Sequence, residues 1–116
     1  MQWLAADVTR ADLPAAAYDL WHDRAVLHFL VDPDAAAAYA AQVRRCLVPG
    51  GHAVIGGFAP GGPERCSGLV VARRSPEDVA TLLGPDFSLV AEASEDHHTP
   101  SGATQAFSWV VLRKNV

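Results

Sequence analysis

Apolar residues along this chain fall into short runs and alternations separated by proline- and glycine-bearing breaks, which predicts a chain of strands and helices. Trp3 to Thr9 is a short apolar segment ending in Asp-Val-Thr, as expected of a buried strand with its carboxyl end at a loop. Asp12, Pro14 and the following alanines break that pattern. The stretch from Tyr18 to Leu30 is longer than a mean strand and carries charge at its centre. It divides into a strand over Tyr18–Trp21 and a turn or short helix from His22 onward. Asp32-Pro33 is a helix start, with Asp32 as N-cap and Pro33 where a missing N–H costs nothing; Tyr39, Val43 and Leu47 recur every four residues. A helix from about Pro33 to Leu47 follows, stopped by Pro49-Gly50-Gly51.

His52 to Phe58 predicts an apolar strand, and Ala59 to Gly68 a glycine- and proline-rich loop long enough to suggest a functional role. Ser75 caps a short helix lined by Val79, Leu82 and Leu83 and ended by Gly84-Pro85. Phe87–Ala93 and Gln105–Leu112 alternate apolar and polar residues about a turn at His97–Gly102; Phe107, Trp109 and Val111 share one side. These two segments predict an antiparallel hairpin.

Composition narrows the class. With 116 residues, half of them hydrophobic, the chain is sized for one domain with one core. A net charge of −4 leaves no basic footprint for nucleic acid, so the pairs Arg44-Arg45 and Arg73-Arg74 are expected on solvated faces. Cys46 and Cys66 are too few for a disulfide framework, which fits a reducing cytoplasm. No apolar run reaches the length of a membrane span, and the start lacks the features of a signal peptide.

Several side chains carry candidate chemistry. His22, Asp23 and Arg24 form the densest polar cluster on an otherwise apolar segment, either a binding floor or a structural Asp23–Arg24 ion pair. His28 lies four residues after Arg24, so on a short helix the two would share a face, with His28 either substrate-side or packed. Cys66 offers a thiol in the glycine- and proline-rich loop, with no base visible beside it. His97 and His98, with Cys66 and His52, are weak candidates for a metal, because imidazole and thiolate suit zinc or copper; their spacing matches no recognised metal motif.

The order strand, strand, helix, strand, loop, helix, hairpin, together with local words, resembles the C-terminal part of class I S-adenosylmethionine-dependent methyltransferases. Trp3-Leu4-Ala5-Ala6-Asp7-Val8 resembles that family's third strand, and Tyr18 to Leu30 its fourth strand and following turn. Arg45 to His52 resembles the junction into its fifth strand. Gly62 to Leu69, His98 to Gly102 and Gln105-Ala106-Phe107 are similar to small bacterial, thiopurine-like members. The resemblance implies an α/β fold, a truncated Rossmann-like methyltransferase sheet with a C-terminal antiparallel hairpin, forming one partial domain over residues 1–116.

It further implies S-adenosylmethionine as cofactor, with Asp7 and Val8 at the adenine and His22, Asp23 and Arg24 under the methionine portion, Arg24 taking its carboxylate. His28, Cys66 and His98 fall on the side of a small-molecule acceptor. The family's Gly-x-Gly-x-Gly turn and its first two strands have no counterpart in these residues. In the family order 3-2-1-4-5-7-6 those strands stand between the third and fourth, so their removal leaves a gap of roughly 14 Å. The expectation is that the gap closes by collapse of Trp3–Val8 onto the next strand, by self-association, or by a complementing N-terminal chain. Two functions follow: a methyltransferase fragment that is active when completed, or a non-catalytic dimeric binding module, metal-responsive through Cys66 and the histidines.

Overall fold

The computed structural model describes residues 13–63, 65, 66 and 69–116, with Cys66 described in its backbone alone. The expected strand at Trp3–Val8, and with it any pairing to Leu20, lies outside these residues. Elements follow in the order β1 (Tyr18–Arg24), a 3-10 turn (Leu27–Phe29), α1 (Pro33–Cys46), β2 (Leu47–Phe58), β3 (Arg65–Cys66), β4 (Leu69–Val70), α2 (Pro76–Leu83), β5 (Phe87–His98) and β6 (Thr104–Lys114).

The main sheet has the order β1-β2-β6-β5, with β1 parallel to β2 and the rest antiparallel. A parallel pair needs a crossover, and α1 supplies it. Asp32 accepts from the backbone N–H of Asp34 at 3.2 Å, and Pro33 opens the helix. At α2, Ser75 Oγ accepts from Asp78 N–H at 3.1 Å while the Asp78 carboxylate accepts from Ser75 N–H at 2.9 Å, a reciprocal capping box.

Both helices cover one face of the sheet. Tyr39 and Val43 of α1 and Val79 and Leu83 of α2 join Ala53, Ile55, Val110 and Leu112 in a single buried cluster. Period-two alternation sends the neighbours of these residues to the other face. There Trp109 lies across Gly56 so closely that a β-carbon on the glycine would sit 2.5 Å from the indole. On that face Phe58, Phe107 and Val71 form a second buried cluster with Phe29 of the 3-10 turn packed against it, while Leu20 on β1 remains 55% exposed.

Several boundaries differ from the sequence expectation. The strand expected to end at Trp21 runs on to Arg24, because its backbone pairs with β2 as far as Arg24↔Gly56 regardless of side-chain charge. β5 continues to His98, held by β6 through His98↔Thr104 although every residue from Ser88 on is exposed. The long loop contains the small β3–β4 hairpin. Pro49-Gly50-Gly51, expected to stop the helix ahead of a strand from His52, lies within β2, since α1 already ends at Cys46; it interrupts the pairing there, with Tyr18 opposite Leu47 and Leu20 opposite His52.

One arginine of each pair departs from the solvated-face expectation, while Arg45 and Arg73 are exposed. Arg44 donates to the carbonyls of Leu82 and Leu83 at 3.4 and 2.9 Å, satisfying the end of α2. Arg74 donates to Leu27 and Leu30 carbonyls at 3.1 and 3.0 Å, and burial holds its pKa below the ordinary arginine value.

Candidate functional site

At the carboxyl end of β1 the chain turns sharply through Ala25, whose φ of 64° is unusual for a residue with a β-carbon. Asp23 holds this turn. Its side chain is 4% exposed, and its oxygens accept from Val26 N–H at 2.7 Å, Leu27 N–H at 2.9 Å and the Tyr39 hydroxyl at 2.5 Å. Tyr39 in turn accepts from the Trp21 indole N–H at 2.9 Å, and the two rings meet edge to face. Burial first, then the adjoining Asp23 carboxylate, pushes the Tyr39 pKa upward, so the phenol stays a donor.

Around this network lies an open cavity of about 130 Å³ lined by Trp21, His22, Asp23, Arg24, Val26 and Tyr39. The structure thus brings together His22, Asp23 and Arg24, the three residues assigned to the methionine floor. It does not make Asp23 and Arg24 an ion pair. Successive strand residues point to opposite faces, so Asp23 turns toward α1 while Arg24 turns away. The Arg24 guanidinium lies 4.8 Å from the Phe107 ring centre and 5.5 Å from Trp109, and reaches Glu95 at 3.5 Å. His22 contacts Trp109 on the same face, their ring centres 6.1 Å apart.

Arg24 and His28 share no helical face, because Arg24 ends a strand and His28 is in the 3-10 turn. His28 is 2% exposed and packs against Phe29 and Phe58, with ring centres 4.4 and 4.8 Å away. His98 is exposed near the hairpin tip, 3.3 Å from the Thr104 hydroxyl through Nδ1. Its partner Thr104 stands three residues beyond the Phe107 that faces the end of β2, so His98 lies past the carboxyl end of β2. Asp7, Val8 and the Cys66 side chain lie outside the described residues.

His52 does not join a metal set with His97 and His98. It pairs with Arg113 at one end of β6 and His98 pairs with Thr104 at the other, a separation of roughly 30 Å along the strand. Among the described residues no group of three His, Cys, Asp or Glu side chains is placed to hold a metal. Sequence reasoning missed the Tyr39 hydroxyl and Arg74 as parts of this region. Tyr39 was visible only as a member of the apolar stripe, and its polar end becomes meaningful once Asp23 is folded beside it.

No family model matches the sequence, and no curated protein matches it. Solved structures do share the fold. A SAM-dependent methyltransferase from Methanosarcina mazei superposes with TM-score 0.77 at 13% identity, over 94% of this chain and 65% of that one. The N-methyltransferase NodS from Bradyrhizobium japonicum WM9, solved with S-adenosyl-L-homocysteine, gives 0.73 at 22% identity, over 97% and 53%. The 1,6-didemethyltoxoflavin-N1-methyltransferase of Burkholderia thailandensis, with 1,6-didemethyltoxoflavin and S-adenosylhomocysteine bound, gives 0.68 at 28% identity, over 94% and 48%. The chain therefore has the mixed α/β fold of SAM-dependent methyltransferases, and it spans less than two thirds of the length of these neighbours. No helix among the described residues is long and apolar enough to cross a membrane.

Proposed function

We propose that the chain forms the acceptor-side half of a class I SAM-dependent methyltransferase acting on a small molecule in the cytoplasm, competent when a polypeptide bearing the glycine-rich turn completes the sheet along β1. The observation that carries this is the combination of an edge strand and an undersized pocket. Among the described residues β1 pairs with β2 alone, and cofactors of such folds bind at the carboxyl ends of the strands. The cavity there measures about 130 Å³, well under the roughly 300 Å³ at which small-molecule sites begin. A nucleoside-bearing cofactor needs further walls, and the edge of β1 is where they would attach.

In the completed site His22, Asp23 and Arg24 border the methionine end of S-adenosylmethionine. Asp23 acts as a positioning residue there, since its oxygens are occupied by Val26, Leu27 and Tyr39. Asp7 and Val8 would face the adenine, and Cys66 and His98 the acceptor. The bound cofactor supplies an activated methyl group; the protein aligns the acceptor and excludes water. The resemblance of Gly62 to Leu69, His98 to Gly102 and Gln105-Ala106-Phe107 is what favours the small bacterial, thiopurine-like branch. Edge pairing with a second copy is the other route to closing β1, and gives the non-catalytic dimeric module as the competing reading.

The test is methyl transfer from radiolabelled S-adenosylmethionine to a panel of small thiols, amines and carboxylates. It compares this chain alone with the same chain translated together with any in-frame upstream coding sequence. Turnover confined to the longer product supports the proposal. Turnover by the chain alone at an ordinary enzyme's rate overturns it, and a chain dimer that binds neither S-adenosylmethionine nor S-adenosylhomocysteine favours the module.

A further inference from the structure

A second, smaller cavity lies behind the 3-10 turn, and His28 gives it a chemical character. The His28 Nδ1 accepts from the Phe58 backbone N–H at 3.3 Å. A neutral imidazole that accepts at Nδ1 carries its proton on Nε2. Burial, opposed by Asp23 and reinforced by Arg74, lowers the pKa of this histidine and keeps the ring neutral. Nε2 is thus a donor, and among the described residues it has no hydrogen-bond partner although its side chain is buried. Leaving such a group unpaired is costly, so an occupant is expected.

The room for one is present. A half-open cavity of about 20 Å³ is lined by His28, Gly56, Gly57, Arg74 and Ser108 beside the apolar Leu27, Ile55 and Val79. That volume accepts one oxygen-sized group. Gly57 lets the strand approach this histidine closely: a β-carbon there would stand 3.1 Å from the His28 Cβ, so the side chain would have to give by a few tenths of an ångström. The Arg74 guanidinium, fixed on the carbonyls of Leu27 and Leu30, adds positive charge to the wall. A donor N–H, a nearby cation and a hydroxyl-bearing residue together favour an oxygen that accepts hydrogen bonds and carries negative charge.

We propose that this cavity is a subsite for one carboxylate or carbonyl oxygen of a small molecule, with His28 Nε2–H as its fixed donor. The 3-10 turn separates it from the 130 Å³ cavity, with Leu27 lining one and Asp23, which binds the Leu27 N–H, lining the other. Its identification as part of an acceptor site rests on the methyltransferase reading; the binding itself needs no cofactor.

The experiment follows the His28 ring by long-range ¹H–¹⁵N correlation while the whole chain is titrated with formate and, separately, acetamide. A protonated Nε2 whose resonance moves saturably with formate, and to a smaller extent with acetamide, supports the subsite. His28→Gln keeps a donor near the Nε2 position and should retain formate binding, read from the Gly57 and Phe58 amides. Ser108→Ala should leave the fold intact and weaken binding by no more than about tenfold, one hydrogen bond's worth. A long-lived water on Nε2 that neither compound displaces overturns the proposal, as does a proton found on Nδ1. Because no S-adenosylmethionine is present, these results stand whether or not methyl transfer is ever observed.

Discussion

Replacing Asp23 tests the most densely bonded part of the structure. Asp23→Ala removes the acceptor for two backbone N–H groups, Val26 and Leu27, and for the Tyr39 hydroxyl. Stranded donors cost on the order of 1–3 kcal/mol each, and some water enters the vacated space, so the net loss is about 3–5 kcal/mol. Against a typical total of about 5–15 kcal/mol this brings the domain close to unfolding at room temperature. Tyr39→Phe strips a single donor from Asp23 and an acceptor from Trp21, for about 1–3 kcal/mol. Because the two residues touch, their effects are non-additive, with a coupling of about 1–2 kcal/mol in a double-mutant cycle measured by urea denaturation. An Asp23→Ala loss below about 1 kcal/mol, or strictly additive effects, would refute the assignment of Asp23 as the anchor of the turn.

Other outcomes follow from single contacts. His28 has its pKa lowered in the fold by burial, so the unfolded chain takes up a proton first. Its contribution is full above the unfolded value near 6.5 and falls as the pH drops below it; His28→Gln should flatten that part of a stability-against-pH curve. Ser75→Ala removes the hydroxyl that accepts from Asp78 N–H, leaving the arm from its own backbone N–H to the Asp78 carboxylate, and should cost about 1 kcal/mol in urea denaturation, with faster hydrogen exchange through the first turn of α2. Gly56→Ala places a β-carbon against Trp109 and should cost about 1–3 kcal/mol while changing the indole fluorescence, since the ring must leave Gly56 and the Arg24 guanidinium.

What could be read from sequence was what is local. Asp32-Pro33 and Ser75-Pro76 declared two helix starts because a cap and its partners lie within three residues. The hairpin was legible in its alternation, yet its length was not: the alternation fades after Ala93 and His97 and His98 read as turn residues, whereas backbone pairing to β6 keeps Ser94 to His98 in a strand. Function-bearing contacts were the least legible because their partners are remote. Asp23 meets Tyr39 sixteen residues on, His28 meets Phe58 at thirty, and Arg24 meets Glu95 at seventy-one. The cluster His22-Asp23-Arg24, visible in sequence as a group, lines one cavity in the structure. Its division between two faces of the sheet emerged only when the strand proved to continue through Arg24.

Calorimetric titration of the purified chain with S-adenosylhomocysteine addresses the central claim, that β1 and its neighbours furnish one wall of a cofactor site. The account predicts no saturable heat from the chain by itself and a one-to-one isotherm once a glycine-rich segment completes the sheet. Tight stoichiometric binding by the chain alone would contradict it.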